Sequence, residues 1–125
     1  VAKLPYLQLY TGDILKDTEF RSVSLPARGL WLMMLCIMHE APRRGYLELA
    51  SGKPLSHDEL ARVTGSSSEE VSPLMKELES AGVFSRTTAG TIYNRRMVRD
   101  EKERQKHAQR QRKYRGKQRK KEGEK

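Results

Sequence analysis

Cysteine is nearly absent from this chain. Cys36 stands alone among 125 residues, so no internal disulfide can form and a Cys-based zinc site is excluded. A single thiol inside an apolar run is expected to pack as a small buried hydrophobe rather than to react. Histidine is also scarce: His39, His57 and His107 lie far apart, and His39 beside Glu40 reads as an interaction at a helix C-terminus rather than a ligand pair. No metal site is expected. The sequence has no Gly-rich phosphate loop, no HExxH and no GxSxG. Asp13 and Asp17 fit helix capping better than acid–base chemistry, so the expectation is a non-enzyme with no cofactor. Long apolar runs are missing as well. The longest, Leu30 to Met38, covers nine residues, and a membrane-crossing helix needs about twenty. Without the basic stretch and apolar core of a secretory signal, a cytoplasmic protein that avoids membranes is expected.

What the chain has in excess is positive charge, and its placement is uneven. There are 25 Lys and Arg against 16 Asp and Glu, a net of +9. Residues 1–101 hold 13 basic and 13 acidic side chains, whereas residues 102–125 hold 12 and 3. Those last 24 residues contain no Leu, Ile, Val, Met, Phe or Trp, too little apolar surface to offset the entropy of folding alone. One neutral domain with a cationic tail follows. Its expected divisions are an N-terminal strap and short helix at 1–24, a globular domain at 25–99 and a basic tail at 100–125.

Local signals order the elements. Leu4 to Tyr10 has an extended character and reads as a strap against the domain. Asp17 or Thr18 can cap a short helix through Val23. Ser24 can cap a longer one to about Glu40, with Pro26 near its start, where a missing N–H costs nothing. Its centre, Leu30 to Met38, is apolar on every face, which predicts burial all round by the strap or by a second copy in a homodimer. Pro42 to Gly45 breaks the helix, and Tyr46 to Leu49 reads as a short strand. Ser56 and Glu59 form a capping box for a helix from Asp58 to Thr64 that Gly65 stops. The serines Ser66, Ser67 and Ser68 then cap a helix from Glu69 to Ala81. Val71, Leu74 and Leu78 share its buried face with Met75 beside them, and Pro73 predicts a kink or a late start at Ser72. Residues 83–87 and 91–95 flank Thr88-Ala89-Gly90, a connection suited to a β-hairpin. Beyond Met97, intrinsic propensity permits a helix to about Arg115 that Gly116 stops, with Asp100 and Arg104 as one stabilising pair. The tail is expected to be a frayed or exposed helix, or disordered.

The predicted class is mainly α with a small β-hairpin. Two helices joined through a Gly-containing turn and followed by a hairpin match a winged helix-turn-helix. The stretch Leu60-Ala61-Arg62-Val63-Thr64-Gly65, with Glu70-Val71, Leu74 to Leu78 and Ala81-Gly82-Val83-Phe84, resembles that motif and its wing in bacterial proteins. Tyr10-Thr11-Gly12-Asp13-Ile14-Leu15-Lys16-Asp17-Thr18, with Ser24-Leu25 and Arg28-Gly29-Leu30-Trp31, resembles the N-terminal domain of phage and prophage replication-region proteins, of the replication-initiator or replisome-organiser type. The resemblance implies DNA binding in phage replication or its regulation and, through a replication-protein partner, an alternative role as an interaction adaptor.

Charge shifts the expected DNA contact away from the second helix of the motif. That helix carries Glu69, Glu70, Glu77 and Glu79 against Lys76 alone, an unfavourable face for a groove lined by phosphates. The hairpin and its exit carry Arg86, Arg95, Arg96 and Arg99 with no acid, so this side is the expected phosphate contact. Hydroxyls of Ser66, Ser67 and Ser68 are further candidates. The densest candidates are in the tail: Arg110, Arg112, Lys113 and Arg115, then Lys117, Arg119, Lys120 and Lys121, eight cations within twelve residues. Tyr114 among them could stack on a base.

Overall fold

The computed structural model describes residues 5–123. Its elements, in chain order, are α1 (Thr11–Lys16), α2 (Thr18–Arg21), α3 (Leu25–Glu40), α4 (His57–Thr64), α5 (Ser68–Ser80), β1 (Ser85–Arg86), β2 (Ile92–Tyr93) and α6 (Arg95–Gly123). The chain is thus mainly helical with one small antiparallel hairpin, as expected. Leu4, the first residue of the expected strap, lies outside the described residues.

Capping residues start the helices where the sequence places them. The Asp17 carboxylate accepts from the backbone N–H groups of Glu19 and Phe20 at 2.9 and 3.2 Å to open α2. Ser24 Oγ accepts from Ala27 N at the head of α3. Ser56 and Glu59 form the reciprocal capping box of α4, and Gly65 ends it at φ +74°, a left-handed conformation that glycine adopts without penalty. Ser67, the middle residue of the serine run, is the cap of α5.

Several expectations need correction. Residues 11–16, to which local signals assign no element, are helical: Asp13 and Lys16 sit in the first and last turns of α1, where their charges complement the helix dipole. Helix α2 stops at Arg21, short of Val23. Pro73 neither delays nor divides α5, which is one helix from Ser68. It falls in the second turn, so only one backbone donor is lost. The buried face of α5 is Val71, Met75 and Leu78, with Leu74 half-buried beside them, because the helix turns Met75 inward between the other two. Residues 46–49 make isolated bridges, Tyr46 to Tyr93 and Glu48 to Pro54, rather than a regular strand.

Helix α3 is not buried all round. Ala27, Leu30, Trp31, Met34, Leu35 and Met38 face inward, whereas Leu32 and Met33 are each 43% exposed and Cys36 is exposed rather than packed. The strap does not cover this outer face: Leu7 and Ile14 pack against the core and Tyr10 meets α6. The core lies between α3, α4 and α5, with α5 against both others, and is closed by Phe84, Ile92 and Met97. Trp31 and Phe84 stack with ring centroids 6.3 Å apart.

Glycine and asparagine set the direction of α6. Gly45 holds φ +100°, and a Cβ there would sit 2.6 Å from Val98 Cγ2 and 3.0 Å from the Val98 nitrogen. Its carbonyl accepts from Asn94 N at 2.9 Å, and Asn94 Oδ1 in turn caps α6 by accepting from Met97 N at 2.9 Å. The helix therefore leaves the hairpin against the turn that follows α3. It continues through Gly116 to Gly123, correcting the expected stop, because nothing at 116 imposes a left-handed conformation. All residues from Gln109 to Gly123 are exposed.

Candidate nucleic-acid interface

The hairpin arginines are held by the fold. The Thr87 N–H donates to Thr91 O at 2.8 Å and Gly90 N to Thr87 O at 2.9 Å, which closes the expected three-residue connection between β1 and β2. Arg86 reaches back from β1 to Glu79 on α5, forming an ion pair, and donates to Gly90 O at 3.0 Å. The hydrogen bond from Arg86 holds the Glu79 carboxyl below the usual carboxylate range. Arg95 donates to Ser85 Oγ at 2.6 Å and to Gly82 O at 3.0 Å. Arg96 pairs with Asp13 and lies 4.1 Å from the Tyr10 ring centroid, a cation–π geometry. Three of the four expected phosphate contacts on this side are thus brought together as internal ties between hairpin, α1, α5 and α6. Arg99 is different: it is exposed and carries no ion pair among the described residues.

The serine candidates also have internal partners. Ser66 Oγ donates to the Glu70 carboxylate at 3.1 Å, Ser67 Oγ accepts from Glu70 N at 3.2 Å, and Ser68 Oγ hydrogen-bonds Asp58. These hydroxyls face carboxylates, an arrangement that opposes a phosphate on the same edge. Lys76 is exposed on α5. The acidity of α5 is partly internal too: Glu77 accepts from Ser24 N and Ser24 Oγ, each at 2.9 Å, tying α5 to the head of α3.

The body grips α6 through contacts that local sequence patterns miss. Tyr10 OH donates to Asp100 at 2.6 Å, and this hydrogen bond to the carboxylate raises the tyrosine pKa. Arg44 and Arg104 both donate to Glu101, at 3.1 Å and at 2.9–3.0 Å. Burial penalises the Glu101 carboxylate, yet the two guanidinium groups outweigh that and hold its pKa below the ordinary value. Arg104 therefore pairs with Glu101, three residues away, rather than with Asp100. Arg44 also donates to His39 Nδ1 at 3.1 Å, so the ring joins this cluster. No local signal reveals a Tyr10–Asp100 or Arg44–Glu101 contact, since the partners are 90 and 57 residues apart.

Beyond this grip α6 is an exposed cationic rod. Residues 109–123 extend about 22 Å at 1.5 Å per residue. Arg110, Arg112, Lys113, Arg115, Lys117, Arg119, Lys120 and Lys121 all lie on it, exposed, and none forms an ion pair among the described residues. Lys120 and Lys121 occupy the last turn, where positive charge is favourable to the helix dipole. Arg99 and Arg110 also line a groove of about 810 Å³ between α6 and residues 6–14. Among the described residues there is no cluster of potential metal ligands and no helix long and apolar enough to cross a membrane. No family model, no curated protein and no solved structure matches the chain.

Proposed function

We propose that this is a non-enzymatic DNA-binding protein of winged helix-turn-helix type in which α6, rather than α5 or the hairpin, carries the main duplex contact. The observation behind the reading is the run of eight exposed cations between Arg110 and Lys121, none in an ion pair among the described residues. A helix of that charge gains binding energy by displacing the counterions condensed on DNA. The α4–turn–α5 pair and the β1–β2 hairpin support the winged-helix assignment. The likeness of residues 10–31 to replication-region proteins extends the proposal to phage replication or its regulation.

Titration of labelled duplex and single-stranded DNA with the full chain tests this. If six or more phosphates are contacted, affinity falls about a thousandfold or more between about 50 and 200 mM salt. Replacing Arg112, Lys113, Arg115 and Lys117 by Gln should flatten the slope of log affinity against log salt by about 3–4. No binding at about 50 mM salt overturns the DNA reading. A second reading, an adaptor contacting a replication protein, would then be preferred. It is favoured by the exposed carboxylates Asp58, Glu69 and Glu70 at the α4–α5 edge.

A further inference from the structure

We infer that α6 discriminates base sequence through the major groove, with Gln111, Tyr114 and Gln118 facing base edges between two rows of phosphate-contacting cations. The inference rests on the proposed DNA binding and adds sequence readout to it. Its starting point is that the cations are not spread evenly around the rod. At about 100° per residue, His107, Gln111, Tyr114 and Gln118, spaced four, three and four apart, fall within a stripe about 60° wide. Their side chains meet accordingly: Gln111 Nε2 lies 3.2 Å from His107 Nε2, and Gln118 Nε2 donates to Tyr114 OH at 3.0 Å. None of the four carries a carboxylate or an ammonium, and all are exposed, Tyr114 at 64%.

Positive charge flanks this stripe on both sides. Arg112, Arg115 and Arg119 lie about 70–130° to one side, Arg110, Lys113, Lys117 and Lys121 about 50–130° to the other, and Lys120 about 150° away on the back of the rod. A duplex major groove, about 12 Å wide, admits a helix and is bordered by a phosphate backbone on each side. Two cation rows separated by a hydrogen-bonding stripe complement that cross-section. A uniformly charged rod would bind phosphates without presenting such a stripe.

The stripe also indicates which bases suit it. A Gln amide can donate to and accept from the major-groove edge of adenine, and an aromatic ring can contact the thymine methyl. Gln111 and Gln118 are seven residues apart, about 10.5 Å along the helix, or about three base-pair steps. The expected site is therefore A·T-containing, with two adenines about three base pairs apart. The hydrogen bonds along the stripe would exchange for bonds to bases on entry into the groove.

The test is selection of duplexes with a randomised core by the full chain, followed by titration of the selected duplex. The expected result is enrichment of that adenine spacing. Replacing either adenine by 7-deazaadenine, or Gln111 and Gln118 together by Ala, should weaken binding to the selected duplex about tenfold or more. Binding of Q111A/Q118A to an unselected duplex should keep its salt slope. Enrichment of no sequence, while salt-dependent binding persists, overturns the readout and leaves α6 as a phosphate clamp. Absence of binding even at low salt overturns the underlying DNA reading as well. If Q111A/Q118A instead halves the mass in sedimentation, the stripe is a seam between two copies and base readout by it fails.

Discussion

Helices α5 and α6 are both rich in charge, and they use it in opposite ways. On α5, Glu77 holds the head of α3, Glu79 holds Arg86 of the hairpin and Glu70 engages the serines before the helix. On α6 the first three turns follow the same pattern, with Arg95, Arg96, Asp100 and Glu101 tied to the body and Arg104 to Glu101. Beyond Gln109 no such ties exist among the described residues, and the charge is of one sign apart from Glu122 and Glu124. Most of the charge within reach of the body is structural, with Arg99 the exception. Charge beyond its reach remains available to a partner, so a charge count by segment overstates the hairpin and understates the far half of α6.

The sharpest way to break this contrast is to loosen the joint between body and rod. Gly45→Ala forces a Cβ into Val98 at a positive φ and should cost about 2–4 kcal/mol. Thermal or denaturant unfolding would show it, and a change below half a kcal/mol would mean that α6 does not press on this turn. Next comes the Arg44–Glu101–Arg104 cluster. The Glu101 pKa is depressed in the folded protein, so the stability it contributes is present above the usual carboxylate range and is lost as pH falls through the depressed value. Glu101→Gln should destabilise by about 1–3 kcal/mol at neutral pH, with the difference from the parent shrinking in acid. A difference independent of pH would assign the loss to packing instead.

Smaller effects sharpen the same division. Gly116→Ala, in the unsupported half of α6, should raise helix content in far-ultraviolet circular dichroism and favour the helix by about 0.5–1 kcal/mol. No rise would show that this part of the helix is already saturated. Arg86→Ala removes an exposed ion pair with Glu79 and should cost less than about 1 kcal/mol. Its DNA salt slope should equal that of the parent. A decrease of about 1 would return Arg86 to the phosphate contacts.

The elements most legible in sequence are those whose signals are local. Ser24, Ser56 with Glu59, Gly65 and Thr88-Ala89-Gly90 specify helix starts, a helix stop and a hairpin through contacts within a few residues, and the structure has all of them. Helix α1 carries no such signal, having no side-chain cap and no buried residue. The exposure of Cys36 is not legible in sequence, because an unbroken apolar run carries no periodicity to separate the inner face of α3 from its outer face. The candidate site was half legible. The basic run was plain, but whether an arginine was free depended on carboxylates far away in sequence.

The segregation of charge, the mainly helical class, the caps and the hairpin follow from composition and from contacts within one turn of chain. Which charges are neutralised, which side of α3 is exposed and where α6 points follow only from long-range packing. Those depend on pairs such as Tyr10 with Asp100, Arg96 with Asp13 and Gly45 with Val98, whose partners meet only after the chain has folded.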